Sequence, residues 1–374
     1  MRNLPNTLIP DSGQCRAWAY YLPQFHPTAE NDAFWSPGYT EWTAVRQAKQ
    51  LFSGHCLPNG PHPSLGFYDL RDAEVRNKQG ILARDAGLEG FLIWHYWFEG
   101  RTVLDEVPQL ILREEDPEFS FAFAWANESW TGRWHGFGGN INIYQNYGGA
   151  HDIDRHVDYL LPYFASVQYL KVDGKPVFVI YKPELITDLG FFIERFTERV
   201  VEAGFDGVFW VVQTDSADSW AVPSNGRVQI DALASLRLTP SCAVNLADDL
   251  NQPCYKPISE AYSYPATISA TTDWTDREDI LVIPTLVPNW DSTPRLGMNG
   301  RVYIGASPST WSSHLNMVIT TLLERPKNRR IAIIKSWNEW AEGNYLEPDE
   351  LHGYSWLDAT RSGLCRDKQE HVHG

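Results

Sequence analysis

A regular alternation of short apolar runs with helix-like stretches extends through the whole chain and constrains its fold more than any other feature. Each run is bounded by turn-forming residues, which is typical of a buried strand. The eight runs occupy 16–24, 90–97, 120–127, 175–182, 207–213, 229–236, 280–289 and 331–338. Between them, helical periodicity predicts helices at 72–87, 102–113, 151–165, 188–204 and 308–325. Because the runs are continuously apolar rather than alternating, the strands should lie in a parallel sheet covered on both faces.

Eight parallel strands alternating with helices predict an α/β fold, a (β/α)8 TIM barrel that forms a single domain with long βα loops. A doubly wound open sheet is the alternative, but PQFHPTAEND follows the first strand in place of a glycine-rich phosphate-binding turn. We expect an N-terminal extension at 1–15, the barrel at 16–358 and a polar tail at 359–374. Segments 27–68 and 237–275 are long and irregular, and such loops usually shape the binding cleft.

Charge and composition exclude several classes of partner. Lys and Arg number 31 against 47 Asp and Glu, and the net charge of −16 opposes a nucleic acid partner. No stretch approaches the roughly 20 consecutive apolar residues of a membrane span, and no export signal is visible at the start. The five cysteines are odd in number and lack CxxC spacing, so neither a disulfide framework nor a metal site or other cofactor is expected. A cytoplasmic location fits these features, and a periplasmic or secreted one would require a missing N-terminus.

In a parallel barrel the loops after the strands converge on one face, so polar and aromatic residues there should contact a substrate. Most of the 16 Trp, 17 Tyr and 17 Phe rings should pack in the core, and only those beside polar residues are candidates. For His95, a hydrogen-bonded structural role is the leading alternative. The candidate substrate-binding residues are Gln24, His26, Glu41, Trp42, His95, Tyr96, Trp97, Trp125, Asn127, Glu128, Trp130, Tyr181, Lys182, Asn289, Trp290, Asp291, Trp337 and Asn338.

Two glutamates in the run SWNEWAEG, Glu339 and Glu342, are the candidate catalytic residues. Cleaving a glycosidic bond needs one acid to protonate the departing oxygen and one carboxylate to assist from the other side. A helical turn after the eighth strand would place both side chains on one face. Neighbouring tryptophans and the like charge would raise the pKa of one of them. The alternative is that Glu342 only caps a loop or a helix start.

Several longer runs resemble the WbsX-like family, which is related to glycoside hydrolase family 99. The likeness extends from the first strand to beyond the eighth. The runs are YYLPQFHP at 20–27, GYTEWTAV at 38–45, GFYDLRDAEVR at 66–76, HYWFEGR at 95–101, FAWANESWTGRW at 123–134 and IKSWNEWAEGNYLEPD at 334–349.

Family 99 enzymes are retaining endo-α-mannosidases on a (β/α)8 barrel, with two glutamates at the spacing found here. The resemblance implies that Glu339 deprotonates the sugar's own 2-hydroxyl, which attacks the anomeric carbon and forms an anhydro-sugar intermediate. Glu342 would protonate the leaving group and then activate water. Ala341 stands where the mannosidases typically have histidine, which bears on the mannose-specific subsite more than on the pair. The implied function is a retaining glycoside hydrolase acting on an α-linked oligosaccharide or polysaccharide.

Three alternatives stay open at this point. Glu128 is a rival acid, with Glu339 as a direct nucleophile across the barrel mouth. Asp291 and Arg295 could form a loop-fixing salt bridge or a clamp for an acidic sugar. The chain could also be a glycosyltransferase of surface polysaccharide (O-antigen or capsule) biosynthesis, or a barrel that binds glycans without cleaving them.

Overall fold

All eight predicted strands form, and they pair in parallel and in chain order around a closed barrel. The computed structural model describes residues 15–114, 119–131, 141–215, 229–236, 244–250, 258–271 and 277–365, together with Ala217, Trp220 and Leu238. The strands are β1 (Arg16–Tyr21), β2 (Gly90–Phe98), β3 (Phe121–Trp125), β4 (Lys175–Ile180), β5 (Phe209–Thr214), β6 (Ala232–Ser235), β7 (Leu281–Leu286) and β8 (Ile331–Ile334). In β1, Ala17 lies opposite Ala332 of β8 and Tyr20 opposite Leu92 of β2, which closes the barrel. The predicted (β/α)8 fold is confirmed.

The five predicted helices also form, and the ends of four of them lie within two residues of the expected ones. The exception is the second, because residues Arg101–Val103 pair with β2 as a short antiparallel strand and the helix begins only at Glu106. The described helices are α1 (Ala29–Phe34), α2 (Glu41–Gln47), α3 (Ala73–Asp85), α4 (Glu106–Glu114), α5 (Gly149–Ala165), α6 (Leu189–Glu202), α7 (Ala247–Leu250), α8 (Tyr264–Thr271), α9 (Thr293–Leu296), α10 (Pro308–Leu323) and α11 (Ser355–Leu364).

Short elements decorate the barrel. The short strand pairs are Trp130–Thr131 with Ile141–Ile143, Lys171–Val172 with β4, Glu260–Ser263 with Arg301–Ile304, and Asn338–Glu339 with Asn344–Tyr345. The 3-10 turns are Pro183–Leu185, Gly297–Asn299, Lys327–Arg329 and Trp340–Glu342. The last strand pair and the last turn together form the loop after β8.

Helix starts follow local sequence signals. Asp72 and Asp188 cap α3 and α6 by accepting a hydrogen bond from a backbone N–H of the first turn. Ser307 and Thr310 form a capping box at the start of α10, and Pro308 occupies its first position.

One of the predicted domain boundaries can be compared with the bounds of a helix. The boundary placed after residue 358 falls inside α11, so residues 359–364 are helical rather than part of a polar tail. Residues 1–14 and 366–374 lie outside the described residues. Among the helices that are described, none combines the length and apolarity needed to cross a membrane.

A buried carboxylate, Glu347, ties the loop after β8 to α3 and the segment before it. Its two oxygens accept hydrogen bonds from Tyr68 Oη (2.8 Å), Gln79 Nε2 (2.6 Å), Trp337 Nε1 (3.0 Å) and Trp340 Nε1 (2.7 Å). Burial raises the pKa of this carboxyl to about 7, although the four donors favour the anion. Glu347 thus fixes both tryptophans that flank Glu339.

We expect Glu347→Gln to lower the free energy of unfolding by about 2–4 kcal/mol, because the amide NH2 would face two buried donors and leave them unsatisfied. Urea unfolding followed by tryptophan fluorescence at pH 8, where Glu347 is ionised, measures this. The matched control is Glu350→Gln, an exposed carboxylate of the same segment, which should stay within about 0.5 kcal/mol of wild type. Equal stability of the two variants would contradict a structural role for the four hydrogen bonds.

Candidate active site

A cavity of about 200 Å³ opens where the carboxyl ends of the barrel strands meet, which is the face that carries function in this fold. Its wall combines carboxylates, two cations and aromatic rings. The lining residues are Leu22, Gln24, Trp94, Tyr96, Ala126, Glu128, Ser129, Trp130, Tyr181, Leu236, Leu238, Trp290, Arg295, Lys335, Glu339 and Glu342.

Glu339 has a cation of its own. Lys335, the first residue after β8, donates from Nζ to Glu339 Oε2 at 2.6 Å, and both side chains are buried. The same ammonium lies 5.1 Å from the ring centre of Trp94 and 5.9 Å from that of Trp290. An ammonium enclosed by aromatic rings and a carboxylate is stabilised by both, so the rings and Glu339 together hold Lys335 at the cavity wall.

Glu342 shares its cation with a second carboxylate. Arg295 of α9 donates from Nη1 to Glu342 Oε1 at 2.7 Å, and its Nη2 lies 3.0 Å from Oε1 of Glu41. Glu41 is the first residue of α2 and is completely buried, whereas Arg295 and Glu342 reach the cavity. Burial, and next the charge of Glu339, raise the pKa of Glu342.

The backbone around the two glutamates is fixed from β1 and from the segment after β7. Asn338 accepts a hydrogen bond from Leu22 N (2.8 Å) and donates to Leu22 O (3.1 Å). The carbonyl of Glu342 accepts from Asp291 N at 2.8 Å. Gly343 ends the turn at φ 52°, and a Cβ there would lie 2.6 Å from Asp291 Cβ. Only glycine fits this position, which lets Glu342 turn back towards Glu339.

The cavity walls carry polar groups without a protein partner. Trp94 stacks on Tyr20 with ring centres 4.6 Å apart, and its buried Nε1 has no hydrogen-bond acceptor among the described residues. Glu128 Oε1 is likewise buried and unpaired within the described part, and burial raises the pKa of Glu128. Tyr96 and Trp130 stack at 5.5 Å beside it. Flat apolar rings next to free donors and acceptors suit a sugar, which has both C–H faces and hydroxyls.

No cluster of three or more His, Cys, Asp or Glu side chains that could hold a metal ion occurs within the described ranges.

The structure brings eight of the residues predicted for the site to the cavity. They are Gln24, Tyr96, Glu128, Trp130, Tyr181, Trp290, Glu339 and Glu342. The other twelve do not line this cavity, so direct contact between them and a substrate stays a prediction. They are His26, Glu41, Trp42, His95, Trp97, Trp125, Asn127, Lys182, Asn289, Asp291, Trp337 and Asn338.

Three predicted amides serve the backbone instead of a ligand. Asn127 accepts from Lys182 N (2.8 Å) and donates to Lys182 O (2.7 Å), which joins the ends of β3 and β4. Asn338 does the same for Leu22, and Asn289 accepts from Tyr345 N at 2.9 Å. Strands end at these positions, so their backbone groups need side-chain partners.

Five of the residues predicted to contact a substrate have rings that belong to the core, because these rings pack against helices or loops. His95 Nε2 lies 2.8 Å from His156 Nε2, and burial lowers the pKa of His95 to about 3, so the structural alternative for it is the correct one. Trp97 stacks on His156 at 4.7 Å, and Trp125 stacks on Phe192 at 5.2 Å.

Trp42 and Trp337 are held through their indole nitrogens. Trp42 Nε1 donates to Tyr68 O at 2.7 Å, and Trp337 Nε1 donates to Glu347. An indole N–H that is bonded inside the protein is not available to a ligand.

Three further predicted site residues that do not line the cavity have side chains that can carry a charge. Glu41 is committed to Arg295, and His26 is buried with its Nε2 3.7 Å from Glu106 of α4. Burial lowers the pKa of His26. Lys182 lies over the ring of Tyr181 at 4.8 Å, outside the cavity wall.

The predicted Asp291–Arg295 pair is wrong. Asp291 accepts from Thr293 N and Oγ1 at the start of α9, and its Oδ2 lies 2.6 Å from His55 Nε2. The carboxylate of Asp291 is therefore shared between its own loop and His55 of the segment after β1. Arg295 pairs with Glu41 and Glu342 instead of Asp291.

The sequence analysis missed seven lining residues: Leu22, Trp94, Ala126, Ser129, Leu236, Leu238 and Lys335. It named the eighth, Arg295, but with a different partner. Lys335 carried a usable signal, because a lysine that follows IAII at a strand end must be buried beside a carboxylate, and Glu339 follows four residues later. Small and apolar residues such as Ala126 carry no such signal.

Two curated relatives from Xanthomonas campestris pv. campestris match nearly the whole chain. The uncharacterized protein WxcX of strain B100 is 31% identical over 370 residues, which cover 96% of this chain and 51% of the relative. WxcX of a second strain is 32% identical over 373 residues, with 97% and 50% covered. This chain thus spans about half the length of the curated relatives it matches.

Solved structures of glycoside hydrolases share the fold. The family 99 endo-α-mannosidase from Bacteroides thetaiotaomicron has a TM-score of 0.57 at 16% identity, over 95% of this chain and 97% of that one. A protein described as glycoside hydrolase-like has a TM-score of 0.60 at 13% identity, over 97% of each chain. Likeness at these identities shows a common barrel and no more.

The family model described as glycosyltransferase WbsX matches residues 17–360, from β1 into the last helix. This match covers most of the chain and confirms the resemblance carried by the motifs at both ends of the barrel. The chain belongs to the WbsX family, on a barrel like that of glycoside hydrolase family 99.

Proposed function

We propose that this chain is a retaining glycoside hydrolase that cleaves within an α-linked oligosaccharide or polysaccharide, with Glu339 and Glu342 as its catalytic pair. One observation carries the proposal: both carboxylates line one cavity at the carboxyl face of the barrel, and their cations are unequally shared. Two acids with different environments in one cavity are what glycoside cleavage needs.

The two glutamates are paired with cations in different ways, which supports a different role for each. Lys335 pairs with Glu339 at 2.6 Å, which places a cation beside the group proposed as the base. Arg295 divides its charge between Glu342 and Glu41, and burial beside Glu339 raises the pKa of Glu342. Glu342 is therefore the better proton donor, and this fits the assignment implied by the family resemblance.

In the first step Glu339 removes the proton of the sugar 2-hydroxyl, and the freed O2 attacks the anomeric carbon. The bond from the anomeric carbon to the leaving oxygen breaks as Glu342 gives that oxygen its proton. In the second step Glu342 takes a proton from water, the water oxygen attacks the anomeric carbon, and the bond to O2 breaks. Glu339 then returns its proton to O2. Two inversions give net retention, and the route requires a 2-hydroxyl trans to the leaving group.

The two proton transfers compensate each other in charge. When Glu339 gains a proton, Glu342 loses one, so the buried cluster keeps its total charge through the first step. Burying additional charge is costly, and a site that only moves its charge avoids that cost in the transition state.

The aromatic residues of the cavity wall support a sugar as substrate. The glycan screen below identifies which sugar it is. Trp94, Trp290 and Tyr181 offer apolar faces around the two acids. An α-mannoside has the required trans 2-hydroxyl, and two of the structural relatives are described as endo-α-mannosidases. Ala341 occupies the place where those enzymes typically have histidine, so another α-linked sugar with a trans 2-hydroxyl fits the proposal equally well.

The name of the family, glycosyltransferase WbsX, favours a second candidate, a glycosyltransferase. The same pair would then form the same intermediate, and a sugar hydroxyl would replace water in the second step. A glycosyltransferase would also take its sugar from an activated donor, so saturable binding of a nucleotide sugar would favour it, whereas the hydrolase needs none.

For the hydrolase we expect cleavage of an α-linked glycan in H2¹⁸O to place one ¹⁸O atom at the new reducing end, with retained anomeric configuration. The purified chain is incubated with a library of α-linked oligosaccharides and polysaccharides without any sugar nucleotide, and products are read by mass spectrometry and NMR. Products that lack ¹⁸O and form only when an acceptor sugar is added would establish the transferase. An inverted product would refute the mechanism.

For the catalytic pair we expect Glu339→Gln and Glu342→Gln each to lower kcat/KM by at least about 100-fold, because each removes a proton transfer in the transition state. Thermal melting should show both variants folded, and Glu350→Gln, an exposed position, is the control for activity. Glu128→Gln separates the rival pair: a loss as large as that of Glu339→Gln, with Glu342→Gln near wild type, would make Glu128 the acid. Full glycan binding with unchanged function in both pair variants would establish a non-catalytic binding barrel.

A further inference from the structure

Below the cavity floor, the proposed acid shares its arginine with a carboxylate that faces no cavity. Glu41 is fully buried and does not line the wall, yet its Oε1 lies 3.0 Å from Arg295 Nη2. The other guanidinium nitrogen, Nη1, lies 2.7 Å from Glu342. Glu41 does not line the cavity, so any influence on the reaction passes through Arg295 or through the charge that Glu41 places near Glu342.

The buried cluster contains more carboxylates than cations. Three carboxylates, Glu41, Glu339 and Glu342, face two cations, Arg295 and Lys335. An uncompensated charge in a buried cluster is expensive, so one carboxyl should be neutral near pH 7. Lys335 is committed to Glu339, which leaves Glu41 and Glu342 to compete for the proton.

The position of Glu41 is fixed by its helix rather than by a ligand. It begins α2, where Thr40 and Thr43 form a capping box, and its N–H donates to Gln24 O at 3.3 Å. Burial raises the pKa of Glu41, and the charge and hydrogen bond of Arg295 oppose that rise. Glu342 is the last residue of a 3-10 turn and lines the cavity, so of the two carboxyl groups it is the one placed to hold a proton and deliver it to a substrate.

We infer that Glu41 is a positioning residue that keeps the catalytic acid protonated, by occupying half of Arg295 and by placing a second negative charge behind it. This inference rests on the proposed function only for its effect on the reaction. Its effect on the protonation of Glu342 is a property of the folded chain. The groups that face Glu342 are Glu339, Arg295, Lys335, Glu41 and Tyr181, and those that face Glu41 are Arg295, Glu339, Tyr39 and Tyr96.

The test measures the titration of Glu342 directly. Protein labelled with ¹³C at the glutamate carboxyl carbons is titrated by NMR, and the Glu342 signal is identified by its absence in Glu342→Gln. In Glu41→Gln both the negative charge and the competition for Arg295 are removed, so the midpoint of Glu342 should fall by at least about one pH unit. Glu89→Gln is the matched control, because Glu89 is paired with Arg16 at 2.7 Å at the opposite end of the barrel. That variant should leave the midpoint of Glu342 unchanged.

An unchanged or raised midpoint in folded Glu41→Gln would overturn the inference, since it would mean that Glu41 is the neutral carboxyl. Circular dichroism reports whether the variant is folded. If it is not, Glu41→Asp keeps the charge and withdraws it from Arg295 by one methylene, and a fall in the midpoint is again expected. No fall in that variant would also overturn the inference.

Activity gives the second readout. On a glycan that the wild-type chain cleaves, Glu41→Gln should move the basic limb of the kcat/KM profile to lower pH, because that limb reports loss of the acid's proton. A limb that stays in place while the NMR midpoint falls would contradict Glu342 as the acid. Failure to cleave any glycan would count against the proposed hydrolase alone, because the NMR titration needs no substrate.

Discussion

Two buried cations at the mouth of the barrel determine how the loops around them are arranged. A cation inside a protein is tolerated only where carboxylates and hydrogen-bond acceptors replace its water. Arg295 satisfies this need by drawing Glu41 from α2 and Glu342 from the loop after β8 to one guanidinium. Lys335 does so with Glu339 and a ring of aromatic side chains. The charges that make the site chemically useful are therefore also the contacts that join three distant segments of the chain.

The architecture was predictable from the sequence because its signal is local and strong. Each barrel strand is a continuous apolar run, and burial on both faces demands such a run at every strand. The ends of helices were nearly as clear, since Asp72, Asp188 and Ser307 are common capping residues. Only where a short strand precedes α4 did the helical pattern mislead, because residues 101–103 pair with β2 instead.

The site was predictable only in part, because position at a strand end does not determine the direction of a side chain. Asn127 and Asn338 occupy the expected places, yet their amides close backbone gaps between neighbouring strands. His95 and Trp97 alternate along β2 with the lining residues Trp94 and Tyr96, and they pack outwards against α5. The alternation of side chains along a strand explains this split, and it could have been applied to the run WHYW. The pairing of Glu41 with Arg295 spans about 250 residues of sequence, and no local sequence pattern predicts it.

The family is named for glycosyltransferases, yet its barrel is shared with glycoside hydrolases. These two functions are compatible, because their chemistry overlaps. Both reactions need an acid, a base and an intermediate that survives until an acceptor arrives. In this cavity the first half of either reaction would use the same two carboxylates, and the same proton would move from Glu342 to the leaving oxygen. What separates the outcomes is whether water or a sugar hydroxyl reaches the anomeric carbon first. Glu128 and the stacked rings of Tyr96 and Trp130 line the same cavity as the two carboxylates. Under the proposed function, the charged pair would select the bond that breaks, and the other lining residues would influence whether water or a sugar hydroxyl replaces the leaving group.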